Sequence, residues 1–551
     1  MKKRVIPTVL TTFLLLFSFV AFKKDPEDNA FEIAKNIEIF TTLYKEVNNY
    51  YVDELNPNQT MRTALDAMLK SLDPYTVFYS EDQIEDYRTM TTGEYIGIGA
   101  SVGVRNGKVL VLMPMPNSPA LKGGLKIGDE ILQINEVKTK GKTQNEISRL
   151  LKGQANTDVE LKIKRYGSEQ VETIKLKREK IKIDNLPISQ MVDKEIGYIH
   201  LTEFTAGASK EIEKALKELK NQGAKSLILD LRGNPGGLLN EAVNICNLFI
   251  EQDLEVVSTK GKIKDWNKTY KSLFKTFDKE IPLVILINGR SASASEIVSG
   301  VIQDYDRGVL IGQRSFGKGL VQSTRPLSFN TQVKITVAKY YIPSGRCIQA
   351  LDYSHKDSKG KATKIPDSLR KPFKTKAGRV FYDGAGLDPD ITLPTPKESP
   401  ILKGLLEANL IFDYANTYTL KNPKIISAKD FQLTDAEYKE FLTWIKNQKY
   451  NYKTEMEKTY TELEEAARED KKYEAMQNDL NALKAKINKS KENDLLTFQK
   501  EIKERLEEEI VARYYLEQGV LENKLQKDNE LKEAIQILKN PSKYKQILSK
   551  K

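Results

Sequence analysis

Residues 282–313, PLVILINGRSASASEIVSGVIQDYDRGVLIGQ, read as strand, helix and strand. PLVILIN is an unbroken apolar run of strand length, bounded by Pro282 and by Asn288-Gly289. SEIVSGVIQDY reads as a helix and VLIGQ as a second strand. Ser293 stands three residues before Glu296, so S-x-x-E reads as a capping box at the helix start.

The alternation extends upstream. IGYIHL is a strand, SKEIEKALKELKNQ a helix, SLILDL a strand and EAVNICNLFI a helix, and strands continue downstream through QVKITVAKYYIP. Strands alternating with helices argue an α/β domain, here assigned residues 184–394. Before it, the short strands YIGIGASV, KVLVLMPM and DVELKIKR enclose SPALKGGLKIGDEILQINEVKT. There Ser118-Pro119 open a helical turn, Gly123-Gly124 close it, and Gly128-Asp129 start another strand. These residues resemble a PDZ domain, assigned 93–183. Residues 25–92 read as helical: Ile33, Ile37, Phe40, Tyr44 and Val47 share one helix face, Met61, Leu65, Met68 and Leu69 form a second periodic run, and Asp73-Pro74 brings a turn. Residues 355–379 read as a basic polar loop. Residues 395–551 are charged and helical with sparse apolar positions, a C-terminal helical region whose role the sequence does not state.

At the N-terminus Lys2, Lys3 and Arg4 precede an apolar run from Val5 to Phe22, the layout of an export signal. The run is slightly long for a signal peptide and slightly short for a spanning helix, and Phe19 makes a poor cleavage context. Residues 1–24 therefore read as a signal peptide or an N-terminal anchor. Either places the body of the protein outside the cytoplasm, in the periplasm, free or anchored in the inner membrane.

The 551 residues are too many for a single core. The net charge of +11 is spread through lysines interleaved with glutamates, which reads as a solvated surface. A nucleic-acid partner would want a clustered basic patch with interleaved aromatics. Cys246 and Cys347 lack metal-ligand spacing and read as two buried thiols rather than a disulfide.

The chain has two histidines, His200 and His355. For a serine hydrolase so poor in histidine, lysine is the economical base. Lys318 lies between Gly317 and Gly319 in SFGKGLVQ, with Gln322 four residues on. Alone, Lys318 reads as a solvated surface lysine and Ser293 as a helix cap. Cap and nucleophile are compatible, because a helix start offers free N–H groups and a positive dipole end to an oxyanion. Gln322 would share a face with Lys318 in a helix or a strand, where its amide can orient the amine. LDLRGNPGG, residues 229–237, follows an apolar strand and precedes a helix; a tight turn and a phosphate cradle both fit. The Gly-Lys-Ser/Thr ending of a nucleotide site is absent.

In this order behind the PDZ-like stretch, LDLRGNPGG, SASASEI and FGKGLVQ, followed by YYIPSGRCIQ and GLDPDI, resemble the carboxyl-terminal processing, or tail-specific, proteases. The resemblance runs from Asp28 to Ile391. It implies a multidomain α/β and α+β chain, with the PDZ domain inserted before a ββα-repeat, crotonase-like serine protease core and with helical N- and C-terminal regions. It implies a serine endopeptidase that cuts proteins at or near their C-terminal region, with no metal and no cofactor. Ser293 would be the nucleophile, Lys318 the general base and Gln322 the residue holding the lysine, with the N–H groups of Gly237 and Ala294 as oxyanion hole. The lysine-rich insert before GRVFYDGAGLDPDI and the large helical tail are less typical of short members. A free lysine has a pKa of about 10.4. Burial without a carboxylate partner lowers it, and Phe316, Leu320 and Val321 are expected to supply the dry surroundings.

A PDZ domain adds a peptide C-terminus as a strand, its carboxylate held by backbone N–H groups. Tyr95, Ile96, Gly97, Ile98 and Gly99 are expected to form that loop, the alternative being an ordinary glycine-relaxed strand. Ile96, Ile98 and Val102 are expected to line an apolar pocket. The expected partners are proteins with free, apolar C-termini, a second copy of the chain through the helical regions, and the membrane through the N-terminal segment, with no nucleic acid. One rival reading is a catalytically degenerate PDZ-bearing envelope scaffold, against which intact Ser293, Lys318, Gln322 and Gly237 argue. Another is a nucleotide-binding α/β enzyme, which lacks the phosphate-binding lysine motif.

Overall fold

The computed structural model describes residues 26–549 apart from 359 and 396. The leader-or-anchor reading of residues 1–24 lies outside them. The chain divides into two units, one ending at Phe78 and the other starting at Tyr79.

In the first unit α1 (Pro26–Tyr50) precedes α2 (Pro57–Lys70). Asn56 caps α2, its Oδ1 accepting the Gln59 N–H at 3.1 Å, and Pro57 supplies a pre-set first helical position. The Asp73 carboxylate accepts the N–H groups of Tyr75 and Thr76 at 2.8 Å each, which makes the turn expected at Asp73-Pro74. Ile33, Ile37 and Phe40 on α1 are exposed.

In the second unit a helix over Ile84–Thr92 leads into β1 (Glu94–Gly97), β2 (Ala100–Arg105), β3 (Lys108–Pro114), β4 (Glu130–Ile134), α3 (Gln144–Leu151), β5 (Asp158–Lys164), β6 (Val171–Lys177) and β7 (Glu179–Lys182). Strands β2-β3-β4-β5-β6 are hydrogen-bonded in that order, and β1 pairs antiparallel with β7. Every second residue of β5, Val159, Leu161 and Ile163, is buried, as a sheet with one covered face requires. A Thr143–Glu146 capping box starts α3 and turns Ile147 and Leu151 into the same core.

There follow β8 (Ile188–Asp193), β9 (Ile196–His200), α4 (Ala208–Asn221), β10 (Ser226–Asp230), α5 (Leu239–Asn247), β11 (Glu255–Gly261), β12 (Leu283–Ile287), α6 (Ala294–Asp304), β13 (Val309–Gly312), β14 (Leu320–Pro326), β15 (Gln332–Tyr341) and β16 (Ile391–Thr392). The order β8-β9-β10-β12-β13-β16 forms one sheet, antiparallel only at β8–β9. Leu229 lies opposite Ile199 and Ile285, and Ile285 opposite Leu310. Every residue of β10, β12 and β13 is buried, which requires both faces of the sheet to be covered. Helices α4, α5 and α6 cover one face, with Ile212, Leu216, Ile245 and Val301 packed around Leu229 and Ile285.

The other face is covered by the end of the chain. After α7 (Pro400–Glu407), α8 (Leu410–Lys421), α9 (Asp435–Ile445) and α10 (Gln499–Lys527) come α11 (Asn529–Leu538) and α12 (Pro541–Ser549). Leu531, Ala534 and Ile537 of α11 pack with Ile228, Val284, Leu286, Val309 and Ile311 of the sheet. The Tyr544 hydroxyl of α12 accepts the Leu283 N–H at 3.0 Å and donates to its carbonyl at 3.1 Å. The last helices are thus a layer of the α/β core, while α7–α10 build a core of their own around Ile411, Tyr414, Phe441 and Leu506. Among the described residues no helix is long and apolar enough to cross a membrane.

Residues 355–379 are more ordered than a polar loop. They contribute to short hairpins, and the Arg379 guanidinium is buried between Asp306 at 2.6 Å and Asp390 at 2.5 Å. Cys246 is buried and Cys347 partly so, both as free thiols.

Candidate active site and tail-binding groove

The β12–α6 connection turns sharply from strand to helix, and Ser293 sits at the turn with φ 55° and ψ −112°. A residue with a Cβ avoids this region, and holding it there costs about 1–3 kcal/mol. Such a turn lifts a serine hydroxyl clear of the sheet edge and aims the first helical N–H groups past it. The strain is held by neighbours: Tyr340 donates its hydroxyl to the Ser293 carbonyl at 3.2 Å, and Ser291 Oγ donates to the Leu231 carbonyl at 2.8 Å.

Glu296 does more than close a capping box. Its Oε2 accepts the Ser293 N–H at 2.8 Å, the return half of the box. The same oxygen accepts the Lys318 N–H at 2.9 Å, and Oε1 accepts the Gly317 N–H at 2.7 Å and the Ser315 hydroxyl at 2.5 Å. Ser293 and Lys318 therefore stand one hydrogen bond either side of a single oxygen atom. Complete burial pushes the Glu296 carboxyl up to about 6, against the downward pull of its four donors.

Lys318 is half-buried. Of the three residues expected to keep it dry, Leu320 is buried and Val321 partly so, whereas Phe316 is 48% exposed. The Phe316 N–H donates to the Ser291 carbonyl at 3.0 Å. Gln322 lies on β14 opposite Thr336, and its amide donates to Thr336 Oγ1 at 3.2 Å, next to a register shift between Val321 and Gln322.

The turn over residues 230–237 packs on the Ser293 turn through Asn234. The Asn234 carbonyl accepts the Ala292 N–H and the Ser295 hydroxyl, both at 3.0 Å, while its side chain accepts the Gly236 N–H at 2.8 Å. A Cβ on Gly236 would fall 2.8 Å from Ser293 Cβ and 2.9 Å from Ala294 N, at φ +102°. Only glycine allows this approach. Among the described residues the N–H groups of Gly237 and Ala294 make no hydrogen bond, so two amides expected to face an oxyanion are available.

Between β2 and α3 runs a groove of about 210 Å³ lined by Tyr95, Gly97, Ile98, Val102, Gln144 and Lys152 among others. Of the expected loop, Tyr95, Gly97 and Ile98 line this groove; Ile96 and Gly99 do not. Tyr95 to Gly97 lie in strand β1, and the positive φ falls on Gly99 at +73°, where a Cβ would meet Ser118 Cβ at 2.3 Å. The Ile98 and Gly99 amides make no hydrogen bond among the described residues. Gln144 bridges the open edge of β2: its Nε2 donates to the Val102 carbonyl at 2.6 Å and its Oε1 accepts the Val104 N–H at 3.1 Å.

Glu296's link to the lysine loop, Tyr340 and Gln144 were missed by sequence reasoning. Glu296 carried a signal, the S-x-x-E spacing, but that spacing names only its nearest partner. No group of acidic, histidine or cysteine side chains suited to a metal ion occurs among the described residues.

Comparison with known proteins gives three matching family models: a PDZ domain over residues 110–165, peptidase family S41 over residues 195–354, and "Probable PDZ-protease, C-terminal helical domain" over residues 401–538. The carboxy-terminal-processing protease of Bartonella bacilliformis is 34% identical over 355 residues, covering 64% of this chain and 81% of the relative. The probable CtpA-like serine protease of Staphylococcus aureus is 32% identical over 364 residues, 66% of each chain. Among solved structures, the photosystem II D1 C-terminal processing protease matches at 26% identity with a TM-score of 0.35, over 64% of this chain and 92% of that one.

Proposed function

This chain belongs to the carboxy-terminal-processing proteases of peptidase family S41 and is a serine-type peptidase, and from that premise we propose that it is an exported endopeptidase working by a Ser293/Lys318 dyad. The observation that carries the dyad is the Glu296 carboxylate, which binds the backbone N–H of both residues through one oxygen.

In this reading neutral Lys318 takes the proton of Ser293 Oγ as the oxygen attacks the scissile carbonyl. The carbonyl oxygen becomes an oxyanion against the N–H groups of Gly237 and Ala294, at the positive end of α6. Lys318 then passes its proton to the leaving amine. Water attacks the resulting acyl-enzyme with Lys318 again as base, and Ser293 is regenerated. Gln322 orients the amine from β14. The Thr336 contact supports this part by fixing the Gln322 amide. Substrate tails add as a strand along β2, with the terminal carboxylate at the Ile98 and Gly99 amides and an apolar last side chain toward Ile98 and Val102. Export rests on the basic and then apolar composition of residues 2–22.

The dyad is tested with a fluorophosphonate probe. Ser293 is expected to be labelled in the wild type and left unlabelled in Lys318→Arg. Undiminished labelling of the lysine variant would overturn the assignment of the base. Export is tested by fusing residues 1–78 to a reporter active only outside the cytoplasm, and an inactive fusion would refute it.

A further inference from the structure

Arg232 leaves the turn at residues 230–237 and reaches the chain's last helices. Its Nε donates to both Asp230 oxygens at 3.0 Å, and Asp230 also accepts the Tyr198 hydroxyl at 2.7 Å. Beyond Asp230, Arg232 Nη2 donates to Asp528 at 2.6 Å and Nη1 to Asp528 at 3.1 Å, and Nη1 also donates to Glu530. Burial would push Asp230 up, but the Arg232 charge and hydrogen bonds outweigh it and hold the carboxyl below its usual range. The second Glu530 oxygen accepts the side-chain N–H of Gln313, at the end of β13. Asp528 is itself fixed as the N-cap of α11, its Oδ1 accepting the Glu530 and Leu531 N–H groups at 2.9 Å each. These side chains are 14–17% exposed for Arg232, Asp528 and Glu530, so solvent screens them little.

Arg232 and Gln313 occupy matching places. Arg232 lies five residues before Gly237, and Gln313 five residues before Lys318. Each begins a segment that ends in a group of the dyad reading, and Glu530 holds both beginnings. Three carboxylates surround one guanidinium here, more than charge balance needs. An apolar helix contact would have sufficed to cover the sheet, and Leu531, Ala534 and Ile537 already supply it.

We propose that Asp528 and Glu530 are positioning residues for the peptidase reaction, holding Arg232 and Gln313 so that the oxyanion turn and the lysine loop keep their spacing. The inference rests on the roles proposed above for Gly237 and Lys318. It gives the two carboxylates at the start of α11 a part in the reaction although they touch no substrate. A misplacement near 1 Å in such a site costs on the order of a hundredfold in rate.

The test uses the full chain with Asp528→Asn, Glu530→Gln and the pair, read by kcat and KM separately, by affinity for a tail peptide, and by thermal unfolding. Leu531→Ala serves as the comparison, because it removes apolar packing from the same helix while its backbone N–H to Asp528 and every side chain of the ion network are kept. Glu530→Gln is expected to lower kcat by about tenfold or more with KM and peptide affinity within about twofold, and the pair by more. Leu531→Ala is expected to lower the unfolding temperature and leave kcat near the wild-type value. Unchanged kcat in the acidic variants, or a fall matched by Leu531→Ala at equal loss of stability, would overturn the proposal. Ser293→Ala and Lys318→Arg, run beside them, separate the two readings. If those variants are inactive and Glu530→Gln is not impaired, only the present inference fails. If Lys318→Arg stays active, the dyad fails first.

Discussion

Glu296 grips Lys318 by its backbone, the Lys318 N–H lying 2.9 Å from the oxygen that also holds the Ser293 N–H. Replacing this carboxylate with an amide turns one of its two acceptor oxygens into an NH2 donor that faces two of the four groups donating to it. Glu296→Gln is therefore expected to lower kcat by about a hundredfold or more and to cost about 2–4 kcal/mol of stability. Steady-state kinetics and denaturant unfolding at pH 7 check both, and a wild-type kcat would refute the role.

The same group gives a pH prediction. Its folded value, pushed up to about 6, lies above the unfolded value of about 4.3, so folding takes up a proton between them. The stability this contributes is present below that window and is lost as pH rises through about 6. Wild type is thus expected to gain about 1 kcal/mol over Glu296→Gln on going from pH 7 to pH 5. Activity moves the other way, because the protonated carboxyl gives up an acceptor. Parallel unfolding curves for the two proteins across this range would contradict the assignment.

Gly236→Ala places a methyl group 2.8 Å from Ser293 Cβ and 2.7 Å from the Ala292 carbonyl. It is expected to remove acylation of Ser293 while folding survives with a loss of about 1–3 kcal/mol. Acyl-enzyme formation followed by mass spectrometry, beside a melting curve, decides it. Acylation at the wild-type rate would mean that the two turns are not held together as the distances require.

Lys318→Arg is expected to be as inactive as Lys318→Ala, because a guanidinium keeps its proton at any working pH. Peptide hydrolysis between pH 6 and 10 checks it. Residual activity in the arginine variant well above that of the alanine variant would show that position 318 needs charge rather than a base.

Gln144 already occupies the Val102 carbonyl and the Val104 N–H, two groups that an added strand would use. Gln144→Ala is expected to tighten binding of six-residue tail peptides by about fivefold, the value of about 1 kcal/mol of hydrogen bonding no longer displaced. Three-residue tails, too short to reach Val104, should bind unchanged. An equal effect at both lengths would rule out this competition.

A tail peptide ending in a free carboxylate should be cleaved about tenfold or more faster, as kcat/KM, than its amide, since a charge-assisted bond is worth about 1.5–3 kcal/mol. Gly99→Val should erase the difference, because φ is +73° there and Ser118 blocks a side chain. Equal cleavage of both forms by the wild type would show that the groove does not read the terminus.

Much of this protein was written locally. The strand–helix alternation, the capping box at Ser293 and the glycine-flanked Lys318 are short-range patterns, and so are the apolar runs that read as the strands β10 and β12. What covers the second face was not legible, because Leu531, Ala534 and Ile537 are three apolar residues in a charged stretch and their partners lie more than two hundred residues earlier. Glu296 was visible as a cap and not as a clamp, since its bonds to Ser315, Gly317 and Lys318 cross to another loop. The YIGIG pattern reads as a carboxylate-binding loop, but pairing of β1 with β7 makes Tyr95 to Gly97 strand and leaves the left-handed turn to Gly99.

The sheet that bears Ser293 has one face sealed by residues 529–549, which a ribosome makes more than two hundred residues after the serine. While those residues are missing, Ile228, Val284 and Ile311 lack the packing of Leu531, Ala534 and Ile537 on that side. A chain that stops before residue 529 still carries Ser293 and Lys318, yet it lacks the layer that covers this face of their sheet. Order in synthesis is therefore part of how the α/β domain is completed.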